Sequence, residues 1–285
     1  MQVLQIGCGA LGSLIAQATL TRGHALTIAR RSDKPVPKGA QSLRVDVVSG
    51  NGLSALGTLQ PDLLLYCLAP VSSGAQAYRE TYYQGLQQVL AHVQSAGLKQ
   101  VFFISSTRVY GAQAGEWVDD DTSVVPADAG GQALLDAERL LDALPCGNTA
   151  LRISGIYGPD RRYLVRMAQQ PQSWPQQSHW TNRMHEQDVV GALMHFYDAV
   201  AEGQSLHSHY ILSDNSPVLQ HEVLQWIATQ MGWPQPETPL SQPVTGKRLR
   251  NLRLQASGYV LQFPDYLAGY TPILNALKSQ QRDIE

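Results

Sequence analysis

Short apolar runs alternate with longer segments of helical periodicity along the first 155 residues of the chain. The apolar runs have the length of strands, and the segments between them repeat apolar residues three and four positions apart. The predicted strands are Val3–Ile6, Ala25–Ala29, Leu63–Leu68, Val101–Ser105 and Thr149–Ile153, and the predicted helices are Ala10–Thr21, Ala75–Ala96 and Leu134–Leu144. Nearly continuous apolar strands joined by helical crossovers are typical of a parallel sheet covered on both faces. The pattern therefore predicts an α/β fold with a doubly wound parallel sheet.

The pattern loosens after Gly158, where prolines separate shorter amphipathic segments. Helices are still predicted there, at Glu186–Val200 and Gln220–Met231. We therefore expect one domain over residues 1–158 and a smaller C-terminal lobe over residues 159–285, with some segments of the lobe returning to the sheet.

Composition narrows the classes of function. The chain of 285 residues carries 21 Lys and Arg against 23 Asp and Glu, and charged residues make up only 15%. Nucleic acids and anionic membrane surfaces are bound through concentrated positive charge, so neither is an expected partner. The three cysteines, Cys8, Cys67 and Cys146, lack the paired spacing of a zinc site or a disulfide framework. The longest apolar stretch, Leu63–Val71, is far shorter than the roughly 20 residues of a membrane span. These features predict a cytoplasmic protein without a metal site.

A glycine-rich segment links the first predicted strand to the first predicted helix. It reads Gly7-Cys8-Gly9-Ala10-Leu11-Gly12, which is a G-x-G-x-x-G pattern in the strand–turn–helix context that gives the pattern meaning. The three glycines permit a tight turn, approach of a pyrophosphate and close packing of helix on strand, and the N–H groups from Ala10 and Leu11 onward point at the phosphates. A glycine-rich turn without a ligand is the alternative. The pattern predicts a Rossmann-type NAD(P)-binding domain over residues 1–158, which leaves substrate binding to the C-terminal lobe.

The end of the second strand bears on which cofactor is preferred. An acidic residue there accepts the ribose 2′-hydroxyl of NAD, whereas an arginine accommodates the 2′-phosphate of NADP. This chain has Arg30 and Arg31, with no acid before Asp33. NADP is therefore favoured over NAD, with Arg30 as the expected partner of the 2′-phosphate. The two arginines also fit a solvated strand end, and Asp33 also fits a ribose contact. Asp46 fits either a hydrogen bond to the adenine amino group or a loop cap.

Later motifs resemble a known family. The run Ser105-Ser106-Thr107-Arg108-Val109-Tyr110-Gly111 closes an apolar strand, and Leu68-Ala69-Pro70, the segment from Leu151 to Pro159, and Met184-His185-Glu186-Gln187-Asp188-Val189 fit the same pattern. Over most of its length the chain resembles the extended short-chain dehydrogenases/reductases, the NAD-dependent epimerase/dehydratase family. The resemblance implies a nicotinamide cofactor contacted by Leu68, Ala69, Pro70 and Ser105. The oligomeric state stays open: the long helices after the fourth and fifth strands often form a four-helix homodimer interface in the family, and the sequence does not show whether this chain uses that surface.

The catalytic group of that family is incomplete in this chain. The family uses a Ser or Thr, matched here by Ser106, together with a Tyr and a Lys four residues later. The alignment places the Tyr at about Gly130 and the Lys at about Leu134, and the surrounding residues contain neither type. A supporting Asn of the family is replaced by Tyr82. The chain therefore resembles an atypical branch that lacks the Tyr–Lys pair.

Two residues are candidates for the missing acid/base. Tyr110 follows the fifth strand near the predicted cofactor site, but a packing role fits it as well. His185 carries an imidazole, a group whose ordinary pKa lies near neutral pH, but its place at the start of an apolar-periodic helix also suits a capping role. The catalytic candidates are therefore Ser106, Tyr110 and His185.

Two classes of function remain open. The first is an NAD(P)-dependent oxidoreductase or epimerase/dehydratase-like enzyme that acts on a small carbonyl or sugar-derived substrate. Hydride transfer depends more on positioning than on one particular proton donor, so it is compatible with the missing pair. The alternative is a catalytically degenerate NADP-binding regulator or redox sensor.

Overall fold

The structure, a computed structural model, describes residues 1–111, 114–236 and 241–282. Unit 1 comprises Met1–Gly111, Ser123–Arg152 and Val190–Tyr210, and unit 2 comprises Ala112–Thr122, Ile153–Val189 and Ile211–Glu285. The chain thus passes between the units several times, and residues beyond 158 contribute to both.

The element order starts with the predicted alternation of strands and helices. The strands are β1 (Gln2–Ile6), β2 (Ala25–Arg30), β3 (Gln41–Arg44), β4 (Leu63–Tyr66), β5 (Gln100–Ser106), β6 (Ala114–Val118), β7 (Gly147–Ile153), β8 (Gly155–Tyr157), β9 (Gln177–Thr181), β10 (Arg183–His185), β11 (His209–Leu212), β12 (Val218–Leu219) and β13 (Ser241–Leu249). The helices are α1 (Ala10–Thr21), α2 (Ala75–Tyr78), α3 (Gly85–His92), α4 (Ala129–Leu141), α5 (Tyr163–Ala168), α6 (Glu186–Ala201), α7 (Gln220–Met231), α8 (Leu252–Ala256) and α9 (Tyr266–Arg282).

A seven-stranded sheet in the order β11-β7-β5-β4-β1-β2-β3 confirms the predicted doubly wound α/β architecture. The strand pairs β1–β2, β2–β3, β1–β4 and β4–β5 are parallel. All four residues of β4 are fully buried, as the apolar run predicted. The chain runs outward from β1 to β3 and then crosses back to β4, so the strand order reverses between β1 and β4. Ligands of such sheets bind at this reversal, beyond the carboxyl ends of the strands.

The helical segment between β4 and β5 is interrupted by a π-helical turn over Arg79–Gln84, which joins α2 to α3. The predicted helix ran to residue 96, but α3 ends at His92 because Val93 is already extended. The following residues form a tight turn in which the Leu98 N–H donates to the Ser95 carbonyl and Gly97 has φ +89°. Apolar spacing alone did not reveal this stop.

The helix α4 begins five residues before its predicted start at Leu134. Asp128 is its N-cap, and its carboxylate accepts a hydrogen bond of 2.8 Å from the Gly131 N–H. Two consecutive glycines, Gly130 and Gly131, made this first turn look like a loop. The cap satisfies an N–H group that would otherwise be left unpaired at the helix start, which offsets the low helix propensity of glycine.

Unit 2 contains the sheet β12-β9-β13-β6 and the parallel pair β8–β10. Its apolar core is built around α5, α7 and α9, and includes Tyr157, Trp174, Leu224, Ile227 and Tyr270. The prediction identified α7 to the residue but did not anticipate α9, whose pattern is interrupted by Pro272. Among the described residues, no helix is long and apolar enough to cross a membrane.

Candidate functional site

The glycine-rich segment forms a tight turn at the carboxyl end of β1. Gly7 has φ +98°, and a Cβ at this position would lie 2.2 Å from the Cys67 carbonyl oxygen. Only glycine fits such a backbone without strain. By contrast, a Cβ on Gly9 would meet no atom within 4 Å, so the backbone there faces open space. The turn is thus closed on the side of β4 and open on the side where a pyrophosphate would approach.

A buried glutamine fixes the shape of this turn. The Gln5 side chain is fully buried in β1, and its Nε2 donates to the carbonyls of Gly7 at 2.7 Å and Gly12 at 2.8 Å. Sequence reasoning missed this role. The available signal was an amide side chain inside an otherwise apolar strand, directly before the glycines, because a buried amide must find hydrogen-bond partners.

The start of α1 offers unpaired backbone donors. Its N-cap is Gly9, which has no side chain to accept a hydrogen bond from the first turn, and no acidic residue stands there. The first N–H groups of a helix have no partner within the helix, and together with the helix dipole they favour an anion. The geometry therefore suits a phosphate group held by backbone N–H groups.

A cavity of about 350 Å³ opens at the carboxyl ends of β1 and β2 within unit 1. Seven residues predicted to bind the cofactor line it: Gly7, Gly9, Arg30, Arg31, Asp46, Leu68 and Ala69. The other five, Ala10, Leu11, Gly12, Pro70 and Ser105, are outside its lining. Sequence reasoning did not assign Ser32, Ser49, Glu80 and Thr81, which also line the cavity. The last two belong to the π-helical turn, a feature that no spacing rule signals.

The two arginines at the end of β2 differ in their surroundings. Arg30 donates from Nη1 to the carbonyls of Lys34 and Pro35, at 3.0 and 3.1 Å, and from Nη2 to the Ser32 hydroxyl. Its guanidinium therefore holds the following loop. Arg31 is exposed and has no ion-pair partner among the described residues. It also lines a second cavity of about 240 Å³, together with Arg44, Asp46, Asn51 and Gly52.

The two acidic candidates near these arginines have local partners. Asp33 forms an exposed ion pair of 3.1 Å with Arg44. Asp46 accepts a hydrogen bond of 3.0 Å from the Val48 N–H, as a loop cap does, and it also lines both cavities. Its role in capping therefore does not remove it from the cavity wall.

The end of β5 places its two serines in different environments. Ser106 is half-buried, and its Oγ accepts a hydrogen bond of 3.2 Å from the Arg108 N–H at the start of a short 3₁₀ helix, Thr107–Tyr110. Ser105 is buried and donates to the Glu138 carboxylate at 2.5 Å. The Ser105 hydroxyl therefore faces a buried ion pair and not the cofactor cavity.

That ion pair also engages Tyr110. The Arg152 guanidinium lies 2.7 Å from the Glu138 carboxylate and donates to the Tyr110 hydroxyl at 2.8 Å. Tyr110 is fully buried, with the same guanidinium over its ring. This environment is that of a packed structural tyrosine.

His185, in unit 2, is also enclosed. The ring is 2% exposed, lies 4.0 Å from the Phe263 ring and meets the Tyr157 ring edge-on at 5.2 Å. Its Nδ1 accepts a hydrogen bond from the Gln187 N–H at the start of α6. Burial lowers the pKa of this imidazole, with a smaller opposing effect from Asp188. The ring thus serves as a cap and a packing group.

Gly130 and Leu134 occupy the two positions at which the resemblance places the missing Tyr and Lys, and both are buried against other residues. Gly130 is buried beneath the guanidinium of Arg108. Leu134 is 2% exposed and belongs to the apolar core. Tyr82, at the position of the supporting Asn, is largely buried, which raises the pKa of its hydroxyl to about 12. No group of three or more metal-ligating side chains was found among the described residues.

Comparison with known proteins gives a consistent pattern. Residues 7–210 match the family described as "NAD dependent epimerase/dehydratase family". A solved structure from Methylobacillus flagellatus, provisionally described as an NAD-dependent epimerase/dehydratase, is 40% identical, with a TM-score of 0.87 over 97% of this chain and 98% of that chain. Protein YeeZ of Escherichia coli K12 is 28% identical over 205 residues, which cover 67% of this chain and 71% of YeeZ.

More distant structures share the fold alone. A short-chain dehydrogenase/reductase superfamily protein from Agrobacterium tumefaciens with bound NAD has a TM-score of 0.81 at 16% identity, over 99% of both chains. At this identity the likeness extends to the path of the chain and not to the chemistry of individual side chains.

Proposed function

The chain belongs to the NAD dependent epimerase/dehydratase family, and from this premise we propose that it is an NAD(P)-dependent oxidoreductase or epimerase/dehydratase-like enzyme acting on a small carbonyl or sugar-derived substrate. The observation that carries the proposal is the cavity at the strand reversal, bounded by a glycine turn that is open only on one side. The family membership supports the coarse activity, and the substrate is the part that we propose.

The residues around the cavity fit a dinucleotide. Backbone N–H groups at the start of α1 would hold the pyrophosphate, and the Gln5 amide keeps the turn in the required shape. Asp46 and the end of β2 line the region expected for the adenosine. A nicotinamide nucleotide bound there supplies reversible hydride transfer.

We assign the orientation of the reacting oxygen to Ser106. Its hydroxyl is half-buried at the carboxyl end of β5, where strand ends converge on the site. The burial of Tyr110 and His185 supports packing roles for both residues. Without a Tyr–Lys pair, rate enhancement must come mainly from holding substrate and cofactor in reactive geometry.

A regulator that binds NADP without turnover is the competing function. It is favoured because Gly130 and Leu134 stand where the resemblance places the catalytic Tyr and Lys, and both are buried by other contacts. The two are separated by titrating the purified protein with NADPH and NADH, followed by nicotinamide fluorescence, and then screening carbonyl compounds for oxidation of the bound cofactor. An enzyme should show turnover that falls about 10-fold or more in Ser106→Ala with cofactor affinity unchanged. Tight binding without turnover of any carbonyl compound would support the regulator, and no binding of either nucleotide would contradict both.

We expect Arg31, and not Arg30, to select NADP. Arg31→Ala should weaken NADPH binding by roughly 10- to 100-fold, because a charge-assisted hydrogen bond to the 2′-phosphate is lost, and should change NADH binding less than about twofold. Dissociation constants for both nucleotides at fixed ionic strength measure this. Arg139→Ala, the same charge change at an exposed position of α4, is the control. Equal losses for NADPH and NADH would contradict the assignment.

A further inference from the structure

The guanidinium of Arg108 lies flat on the first turn of α4. A Cβ placed on Gly130 would stand 2.8 Å from Cζ, 2.9 Å from Nη1 and 3.0 Å from Nη2 of this arginine. Nearly equal distances to the centre and to both ends of the planar group mean that its face rests on the glycine. Any other residue at position 130 would displace it, so the glycine and the arginine depend on each other.

Two further groups fix the orientation of this guanidinium. The Tyr78 ring lies over it, with 4.8 Å between Cζ and the ring centroid. The Asp128 carboxylate pairs with Nε at 2.9 to 3.0 Å. Stacking and a charged hydrogen bond together leave a planar fork little freedom to rotate. The Arg108 guanidinium is thus held by three groups, the Gly130 backbone, the Tyr78 ring and the Asp128 carboxylate.

Part of the fork remains accessible to a ligand. The Arg108 side chain is 41% exposed, its ion pair engages the Nε side of the group, and the guanidinium also donates a hydrogen bond to the Tyr78 side chain. Asp128, chiefly through its hydrogen bond, raises the pKa of the guanidinium further above its usual range. Arg108 therefore stays charged and cannot supply the proton that a catalytic tyrosine would.

Arg108 lies in the same turn as Ser106, the residue that we assign to the reacting oxygen. The Arg108 backbone N–H donates to the Ser106 Oγ, so the two residues share one turn after β5. The guanidinium also occupies the space above Gly130, the position at which the family resemblance places the acid/base tyrosine. A fixed, charged fork at this place suits a planar anion held by two parallel hydrogen bonds.

We propose that Arg108, seated on Gly130, binds a carboxylate of the substrate beside Ser106. The substrate is accordingly a carbonyl or sugar-derived compound that carries a carboxylate close to the reacting carbon. This inference rests on the proposed function, because that function places the reacting carbon beside Ser106. A planar carboxylate matches the fork through two parallel hydrogen bonds.

The test uses malonate as the carboxylate probe and its neutral amide, malonamide, as the matched control. The full-length protein, first titrated with NADPH and NADH to establish nucleotide binding, is then titrated with each probe by calorimetry at constant ionic strength. We expect saturable malonate binding in the millimolar range, at least 10-fold weaker binding of malonamide, and weaker binding of inorganic phosphate than of malonate.

Three variants separate a ligand contact from a structural role. Arg108→Lys keeps the charge but loses the fork, and Gly130→Ala adds one methyl group that pushes the guanidinium aside while leaving a good helix former in α4. Both should weaken malonate binding at least 10-fold, with the thermal midpoint within a few degrees of the wild type. Arg139→Ala should leave malonate binding within twofold.

The inference is overturned if malonate does not bind the wild-type protein, if phosphate binds more tightly than malonate, or if malonate binds equally to wild type and both variants. The nucleotide titrations of the same samples test the proposed function separately from the carboxylate assignment. Absence of NADPH and NADH binding would contradict the proposed function, whereas intact nucleotide binding with malonate binding independent of Arg108 overturns only the carboxylate assignment.

Discussion

Gly7→Ala is expected to lower the free energy of unfolding by about 2–5 kcal/mol. The backbone of Gly7 is held at φ +98°, and the new Cβ would lie 2.2 Å from the Cys67 carbonyl oxygen. A backbone oxygen cannot rotate away as the end of a flexible side chain can. The strain must therefore be relieved by moving β1 relative to β4, which are hydrogen-bonded neighbours in the sheet.

Gly9→Ala provides the matched comparison, because its Cβ would meet no protein atom within 4 Å. Stability should change by less than about 0.5 kcal/mol, while nucleotide affinity should fall roughly 100-fold, since the methyl group occupies the approach to the backbone N–H groups. Urea unfolding and nucleotide titration of the two variants measure this contrast. A Gly9→Ala protein with wild-type nucleotide affinity would show that the pyrophosphate does not lie against this turn.

Glu138→Ala is expected to destabilise the protein by about 3–5 kcal/mol, because it leaves the Arg152 charge buried without a counter-ion. The two side chains are only 8% and 7% exposed, and the Arg152 guanidinium makes three hydrogen bonds to the Glu138 carboxylate. Ser105 also loses its hydrogen-bond acceptor in this variant. Loosening of β5 next to Ser106 is a further consequence.

Companion variants show whether the loss comes from the unpaired charge. Tyr110→Phe keeps the ring and removes one hydroxyl, so it should lower stability by only about 1–3 kcal/mol. Glu138→Leu combined with Arg152→Met removes both charges and should regain much of the loss of Glu138→Ala. Denaturant unfolding at neutral pH compares the three proteins. A double variant as unstable as Glu138→Ala would place the cost in packing and not in the buried charge.

The sequence was most informative where the structure is local. The strand, turn and helix around Gly7 lie within about twenty consecutive residues, and the helix α1 has the predicted bounds. Their periodicity and glycine spacing are sufficient because each residue's conformation is set by near neighbours. The same holds for α7, which was also predicted with its observed bounds.

Features that depend on distant residues could not be predicted in the same way. The strand β13 pairs in parallel with β6 and β9, and its register shifts on both sides, so no alternation of apolar residues marks it. The early start of α4 depends on Asp128, and Gly130 is explained only by the guanidinium above it. Likewise, the sequence favoured Arg30 as the partner of the 2′-phosphate, because the loop carbonyls that engage its guanidinium had no predictable position.

The way the chain is divided between the units has a consequence for its synthesis on the ribosome. Unit 1 takes its last segment from Val190–Tyr210, and β11 at the edge of the seven-stranded sheet starts only at His209. The nascent glycine turn and the first strands therefore emerge long before the unit that contains them is complete. During that interval the edge of β7 is unpaired, and unpaired strand edges are prone to aggregation. A gene truncated near residue 158 would encode this vulnerable intermediate and not an autonomous nucleotide-binding module.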